Sequence, residues 1–397
     1  MSCAIAVHVG AGFHSVAKEK RYRTACARSC QAAIEALRNG ATALEAVEKA
    51  IRELENDSVT NAGYGSNLTL RGTVECDASI MEGRDGGFGA VGAVSGVRNP
   101  ISTAKCLVDE SAKGLMSLGR IPPMFLAGAG ARDWAQQHGL DVDNDGVELI
   151  SDDALETYVS HLTRVNDDHR VRGEPLEPAR AAQNMGHDTV GAVCVDTRGS
   201  VAAGVSSGGI SLKFPGRVGE AAMYGCGCWA QDPAGDVAGV GCSTTGTGEQ
   251  LMKTLLAKTC ADRVLAVDDM QVAMAAVVER DFIASPLLRG YEEKNAGILA
   301  IKVEDVGGDE GGGGGLFELW YGHTTLSMGI GYMTDQYSKP KTGRRRGRGT
   351  GVYLWRFNAV NKFGRGVDER TEGDEVSFFS GNAAENHIYK KKQEWVI

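Results

Sequence analysis

The chain has 397 residues, 54 of them glycine, and a formal net charge of −9 at pH 7. That length can bury a substantial core, as two small domains or one large α/β layer structure, and the acidic balance argues against nonspecific nucleic-acid binding by the whole molecule. The ten cysteines lack a disulfide-like framework, no apolar run is long enough for a bilayer, and Met1-Ser2-Cys3-Ala4-Ile5 does not open like a secretory signal, so a reducing compartment, cytosol or nucleus, is expected.

Ala4–Val9 reads as a short apolar strand that ends in His8-Val9-Gly10-Ala11-Gly12. Ala25–Asn39 has helical spacing through Cys26, Cys30, Ala33, Ile34 and Leu37, with Gly40 placed to stop it. Ala43–Leu54 repeats that pattern through Leu44, Val47 and Ile51. A glycine-broken loop, Asn61–Leu68, leads to strands around Leu70, at Glu75–Met81 and at Gly89–Val97. Helices are expected near Ser102–Leu118 and Phe125–His138. From Ser151 to Gly186 the hydrophobic signal thins and Gly173, Pro175 and Pro178 interrupt any helix, which suggests a mobile tether leading to Asp188.

Strand patterns return at Val190–Asp196, Ser200–Ser206 and Val237–Thr244. Glu249–Lys258 and Met270–Phe282 read as helices, and Gly297–Val303, Phe317–Tyr321 and Met328–Met333 as strands. Gly307–Gly315 is nearly pure glycine, a flexible hairpin insertion. Strands, helices, strands, helices and strands in that succession fit two sheets packed together with helices outside. Beyond Asp335 the composition turns basic and glycine-rich, and the last residues read as an appendage. The expected division is therefore 1–188 (with a tether at about 151–187), a catalytic core at 189–337, and a basic, poorly ordered tail at 338–397.

The most informative stretch is His187-Asp188-Thr189-Val190, at the start of an apolar run. If the Asp188–Thr189 bond is cut, Thr189 carries both a hydroxyl and a free α-amine, a nucleophile with its own base. Alone, Asp-Thr reads much better as a β-branched residue entering a buried strand. The residues that follow supply the rest of a hydrolase. Ser206-Ser207-Gly208-Gly209 ends a strand in a turn, so a serine hydroxyl can reach Thr189. Lys213–Glu220 sets the Arg217 guanidinium in a rigid loop, suited to a carboxylate by its fork. Ser243–Glu249 lies between strand and helix, where hydroxyls and backbone N–H groups form an anion nest.

From Ala4 to about Tyr337 these segments resemble the type 2 asparaginase family of N-terminal nucleophile hydrolases. The shared pattern comprises His8–Gly12, Asn61–Gly65, Cys76–Met81, Asp188–Gly191, Gly216–Gly219 and Thr245–Glu249. Within the family, Ser206–Gly209, Tyr224-Gly225-Cys226-Gly227-Cys228-Trp229-Ala230 and His323–Met328 resemble the threonine-aspartase branch, the taspases. The resemblance implies an α+β chain folded as a four-layer αββα sandwich, built from two self-cleaved fragments that pair as a heterodimer or heterotetramer. It implies Thr189 as nucleophile and Asp188 as the residue whose carbonyl is attacked in self-cleavage. It further implies Ser207 as a hydroxyl contact of the nucleophile, Arg217 as the substrate carboxylate binder, and Thr245 and Gly246 as the oxyanion pair. Gly248 matches a main-chain substrate contact, and Asn61 and Gly10 lie on matching active-site loops.

The activity implied by that branch is a threonine endopeptidase cutting proteins after an internal aspartate, nuclear transcription regulators among them, without metal, organic cofactor, nucleic acid or membrane. The nucleus and cytoplasm are then the expected compartments. Asparaginases carry an aspartate three residues after the arginine to hold a substrate α-ammonium, whereas taspases usually carry a neutral residue there. This chain has Glu220, which keeps open an L-asparaginase or isoaspartyl-peptidase activity on small substrates, or a structural ion pair.

Other features have plainer readings. His8 suits a structural donor at a strand end better than a base. Cys226 and Cys228 lack a second ligand pair and read as small buried residues rather than a zinc site. Gly10-Ala11-Gly12 lacks the third glycine of a dinucleotide fingerprint. Arg344-Arg345-Arg346-Gly347-Arg348 reads as a nuclear address, an RNA-contacting patch or a solvated tail. An interaction protein that has lost catalysis would keep the Asp188–Thr189 bond intact.

Overall fold

The computed structural model describes residues 2–143, 146–171, 188–306, 314–346, 352–357 and 375–378. The strands up to Ser207 are β1 (Ala4–Gly12), β2 (Cys76–Glu82), β3 (Phe88–Val94), β4 (Phe125–Ala127), β5 (Val190–Val195) and β6 (Val201–Ser207). Those after it are β7 (Cys228–Gln231), β8 (Gly239–Gly246), β9 (Ala296–Val306), β10 (Gly314–His323), β11 (Ser327–Thr334), β12 (Lys341–Arg346), β13 (Val352–Phe357) and β14 (Glu375–Phe378). They form an eight-stranded sheet, β12-β11-β1-β5-β6-β2-β3-β4, and a six-stranded sheet, β14-β13-β10-β9-β8-β7. Neighbours run antiparallel except β3 and β4. The fold is thus a mixture of sheets and helices.

Alternation along the central strands shows why these apolar runs are continuous. In β1, Ile5, Val7 and Val9 join one core, while Ala4 and Ala6 join another. In β5, Val190, Ala192 and Cys194 face the first core, and Val193 and Val195 the second. A strand buried on both faces needs apolar residues at every position. The first core is shared with the helices α1 (Glu19–Arg38), α2 (Ala43–Glu55) and α3 (Pro100–Ala112). The second core contains residues of both sheets, such as Val205 from β6 and Leu299, Ile301 and Leu319 from β9 and β10.

Downstream come α4 (Gly128–Gln137), α5 (Asp152–Val171), α6 (Gly248–Thr254), α7 (Leu256–Ala266) and α8 (Met270–Ala276), the last continuing as a π-helical segment, Val277–Ile283. Leu251, Leu256, Val264, Met274 and Phe282 from this last group pack on Val240, Ile298 and Trp320 as a third core. The start of α2 is fixed by a capping box, in which Thr42 Oγ1 accepts from Glu45 N–H and Glu45 Oε2 accepts from Thr42 N–H at 2.7 Å.

Several sequence expectations are corrected by tertiary context. Residues 152–171, expected within a mobile tether, form α5. Its start is signalled by Ser151, whose Oγ accepts from Ala154 N–H, followed by Asp152 and Asp153 in the first turn. Residues 172–187, including His187, lie outside the described residues. The expected helix Phe125–His138 gives its first three residues to β4, where they pair with Ala90–Gly92. The expected Glu249–Lys258 helix is broken at Leu255, which is left-handed (φ 46°). The stretch beyond Asp335, expected as an appendage, contributes β12, β13 and β14 to the sheets. Most of Gly307–Gly315 and the later part of the basic run fall outside the described residues.

Behind the middle of the large sheet lies Glu55, fully buried. Its carboxylate accepts from Ser206 Oγ at 2.7 Å, Ile101 N–H at 3.0 Å and Asn99 Nδ2 at 3.1 Å. Burial pushes its carboxyl up to about 7, against the pull of those three donors. The native chain therefore binds this proton more tightly than the unfolded chain. Its stability falls as pH rises from the ordinary glutamate value of 4.5 through about 7. Glu55→Gln keeps the shape and removes the charge. The variant should match the parent at about pH 5 and exceed it by roughly 3 kcal/mol above about pH 7. Thermal unfolding at the two pH values reads this, and equal shifts at both would refute it.

Candidate active site

Thr189 immediately precedes β5, in the middle of the eight-stranded sheet, with β1 on one side and β6 on the other. The pairing of Val190 with Ser206 brings the end of β6 beside it. Thr189 is 2% exposed. Its Oγ1 lies 3.1 Å from Ser207 Oγ and 2.8 Å from Glu220 Oε1. A hydroxyl has one proton, and the nearer carboxylate is the stronger acceptor. Ser207 Oγ also accepts from Gly209 N–H at 3.0 Å, which fixes its place in the turn.

The turn itself is held by Asn61. Its carbonyl oxygen accepts from Gly208 N–H at 2.8 Å, its Nδ2 donates to Gly209 O at 2.9 Å, and its Oδ1 accepts from Asn67 N–H at 2.8 Å. Asn61 is thus a brace for the Ser207 turn and also borders the cleft, which Thr189, Ser207, Gly209, Arg217, Glu220, Gly246 and Gly248 line with it.

Arg217 donates through Nε and Nη2 to one oxygen of Glu249, at 3.0 and 2.8 Å. A Cβ placed on Gly248 would sit 2.8 Å from Arg217 Nη2 and 2.5 Å from Glu220 Oε2. The positive and negative side chains thus both approach this glycine, and a larger residue there would press on both. The loop that carries them is anchored by buried Asp77, which accepts from Gly219 N–H at 2.7 Å and from Ala93 N–H at 2.8 Å. Burial raises the Asp77 carboxyl, opposed by Lys213, the two N–H donors and Arg217. Glu220 is raised to about 7 by burial, against the pull of Arg217 and of the Thr189 hydroxyl, with Asp77 adding to the rise.

On the other side of Thr189, β1 carries a register shift between His8 and Ala11. Gly10, at φ +105°, sits in that bulge, and a Cβ there would fall 2.6 Å from Asp188 Cα. Gly10 is thus a neighbour of Asp188 rather than of the cleft. His14 Nε2 lies 3.1 Å from Asp188 Oδ1. His8 is fully buried, and its Nδ1 donates to the Thr189 carbonyl oxygen at 3.1 Å. Its Nε2 lies 2.9 Å from Ser243 Oγ. Burial lowers His8 to about 3, so the ring is neutral, and Ser243 Oγ also lies 3.0 Å from Gly204 O, which ties His8 to β6 as well. His8 fixes the backbone of the threonine and does not touch its hydroxyl.

Thr245 is buried at the end of β8, where its Oγ1 accepts from Ala11 N–H at 3.2 Å, which leaves its own proton to donate. Gly246, beside it in the cleft wall, has φ +141°, and a Cβ there would meet Asn295 O at 2.2 Å. Asp77, His14 and Glu249 were given no role by sequence reasoning. Asp77 had a signal, a carboxylate inside an apolar strand, which needs a buried partner. Glu249 lies in the Thr245–Glu249 stretch, but nothing in the local spacing points it at Arg217.

The stretches that suggested the threonine-aspartase branch are largely packing features. The Ser206 hydroxyl serves Glu55, Tyr224 packs edge-on against Phe88 and Trp229, and Cys226 and Cys228 are buried thiols raised to about 11 and 12 by burial. His323 Nδ1 donates to Thr325 O at 2.9 Å.

Comparison with known proteins separates the two readings. A probable isoaspartyl peptidase/L-asparaginase 2 of Arabidopsis thaliana is 36% identical over 64% of this chain and 78% of its own length. The isoaspartyl peptidase/L-asparaginase of Mus musculus is 34% identical over 72% of this chain and 79% of its own. The isoaspartyl peptidase of Escherichia coli (strain K12) is 32% identical over 82% and 95%, respectively. These names overturn the expected protein-cutting threonine endopeptidase and favour the small-substrate alternative. The model of the family described as asparaginase matches residues 1–290, and the chain belongs to that type 2 asparaginase family of N-terminal nucleophile hydrolases.

Proposed function

We propose that the chain cleaves itself between Asp188 and Thr189, and that the freed threonine hydrolyses L-asparagine and isoaspartyl dipeptides. The observation that carries this reading is the opposed pair Arg217 and Glu220, both approaching Gly248 beside the Thr189 hydroxyl. Both substrates present a free α-carboxylate and a free α-ammonium, with the scissile carbonyl on the side chain. A guanidinium and a carboxylate side by side match that head group, and Thr189 lies where the side chain would reach.

After self-cleavage the α-amine, with a reference pKa of about 7.7–8.0, is partly basic at neutral pH. It takes the Thr189 hydroxyl proton as Oγ attacks the side-chain carbonyl, and returns it to the leaving ammonia or amine. Thr245 and Gly246 are assigned to the oxyanion, and Ser207 to orienting the nucleophile. Water then releases aspartate from the Thr189 ester. Strands from both sides of the cut, β1 to β4 and β5, β6 and β11, share one sheet, which supports fragments that stay together as a heterodimer. Three cores, one of them between the sheets, support the four-layer αββα arrangement. A heterotetramer is the further assembly proposed.

The test is a substrate panel on the self-cleaved protein: L-asparagine, an isoaspartyl dipeptide and a peptide with an internal aspartate. Release of ammonia or amino acid from the first two, with the third left intact, is expected. Cleavage of the internal-aspartate peptide alone would overturn the assignment. Gly10→Ala should slow self-cleavage, because the new Cβ must move Asp188 and the left-handed backbone adds on the order of 1–3 kcal/mol of strain. The rate at which the 1–188 fragment appears on a gel measures it, and an unchanged rate would show that the bulge does not set the geometry of the bond.

A further inference from the structure

An uncut threonine has no α-amine, so the self-cleavage proposed above lacks the base that serves the mature enzyme. We propose that Glu220 is that base: its carboxylate takes the Thr189 hydroxyl proton while Oγ attacks the Asp188 carbonyl. The inference rests on the reading that the chain cuts itself. Three observations in the uncut chain carry it. Glu220 Oε1 is 2.8 Å from Thr189 Oγ1, closer than the Ser207 hydroxyl at 3.1 Å. His8, the other titratable side chain bonded to this residue, is committed to the carbonyl oxygen and to Ser243. Glu220 is fixed on a buried three-residue 3-10 turn, Glu220–Ala222, whose approach is pinned by Asp77 through Gly219.

The chemistry balances within the chain plus one water. The Oγ–C bond to Asp188 forms as the proton moves to Glu220. The tetrahedral carbon then collapses, the C–N bond to Thr189 breaks, and the proton passes to the departing nitrogen, which becomes the α-amine. Water cleaves the resulting ester, placing its hydroxyl on Asp188 and its hydrogen on Thr189 Oγ. Glu220 ends ionised, and its charge is then available to hold a substrate ammonium. One carboxylate thus serves first as the base of activation and afterwards as a substrate contact.

The groups facing Glu220 are the Arg217 guanidinium, which favours its ionised form, and Asp77, which disfavours it, with burial raising the carboxyl to about 7. The thiol of Cys226 also feels its charge, but is itself raised to about 11, so it stays protonated near neutrality. Self-cleavage by an ionised Glu220 therefore accelerates as pH rises through about 7 and levels above it.

The experiment follows radiolabelled full-length chain made by cell-free translation and chased between about pH 5.5 and about pH 8.5, with fragments 1–188 and 189–397 resolved on a gel. The wild-type rate should climb through neutrality. Glu220→Gln should slow it by at least about 100-fold and flatten the profile, and Glu220→Asp should fall between the two. Processing of Glu220→Gln at the wild-type rate with the wild-type profile overturns the proposal, as does a wild-type rate independent of pH. If wild type yields no fragment, the self-cleavage reading itself fails, which is a separate outcome. Should the glutamine variant not fold, the wild-type profile and the Glu220→Asp rate decide between the same alternatives.

Discussion

Thr189→Ala is expected to leave a single 41.9 kDa band on a denaturing gel and no measurable hydrolysis of L-asparagine or an isoaspartyl dipeptide. The substitution removes the only atom that both steps use, the Oγ held between Ser207 and Glu220. Loss of a catalytic nucleophile costs on the order of 10⁴ to 10⁶ in turnover. The uncut chain lacks the α-amine as well, and Glu220, left beside the alanine, has no hydroxyl to deprotonate. The fold should survive, because Thr189 is a small residue at the edge of β5 whose backbone, not its side chain, bonds to His8. Thr189→Ser keeps the hydroxyl and should process, more slowly for want of the methyl that limits its rotamers. Mass spectrometry of wild type should find a polypeptide starting at Thr189. Active wild-type protein without such a chain end would refute the scheme, as would hydrolysis by Thr189→Ala.

Much of this site is legible in the sequence because each element announces itself locally. Thr189 stands at the head of an apolar run, Ser207 at the end of another, and Arg217 in a loop bounded by Pro215, Gly216 and Gly219. Periodicity marks the strands that position them, since residues buried on both faces leave continuous apolar stretches such as Val190–Val195. What the sequence hides is pairing between distant segments. Nothing local tells that Asp77 holds the loop of Gly219, 142 residues away, or that His14 meets Asp188. The three residues of β4 carry helical spacing and become a strand only because β3 offers an edge. Long-range packing also explains why the resemblance to the threonine-aspartase branch misleads. Tyr224–Ala230 and His323–Met328 resemble one branch of the family, yet in the fold their side chains mainly pack and cap, while the one residue that departs from that branch, Glu220, touches the nucleophile.

Arg217→Ala should reduce kcat/KM for L-asparagine by about 10²- to 10³-fold, equivalent to roughly 3–4 kcal/mol for a charge-assisted pair lost from a largely buried pocket. The guanidinium side chain is 14% exposed, so water replaces it poorly. Arg217→Lys restores the charge without the fork and should recover only part of the loss. Two analogues separate this role from a structural one: 3-aminopropanamide, which lacks the α-carboxylate, and succinamic acid, which lacks the α-ammonium. If Arg217 holds the carboxylate, wild type should prefer L-asparagine over 3-aminopropanamide strongly and Arg217→Ala hardly at all, while discrimination against succinamic acid stays in place through Glu220. A uniform fall on all three substrates would instead mean that the loop has collapsed. Self-cleavage adds an independent reading, because Arg217 does not touch Thr189 but favours the ionised form of Glu220. Without the guanidinium, Glu220 holds its proton to higher pH, so the self-cleavage profile of Arg217→Ala should move toward higher pH while its plateau is retained. A profile that moves the other way would contradict both the placement of the charge and the role assigned to its neighbour.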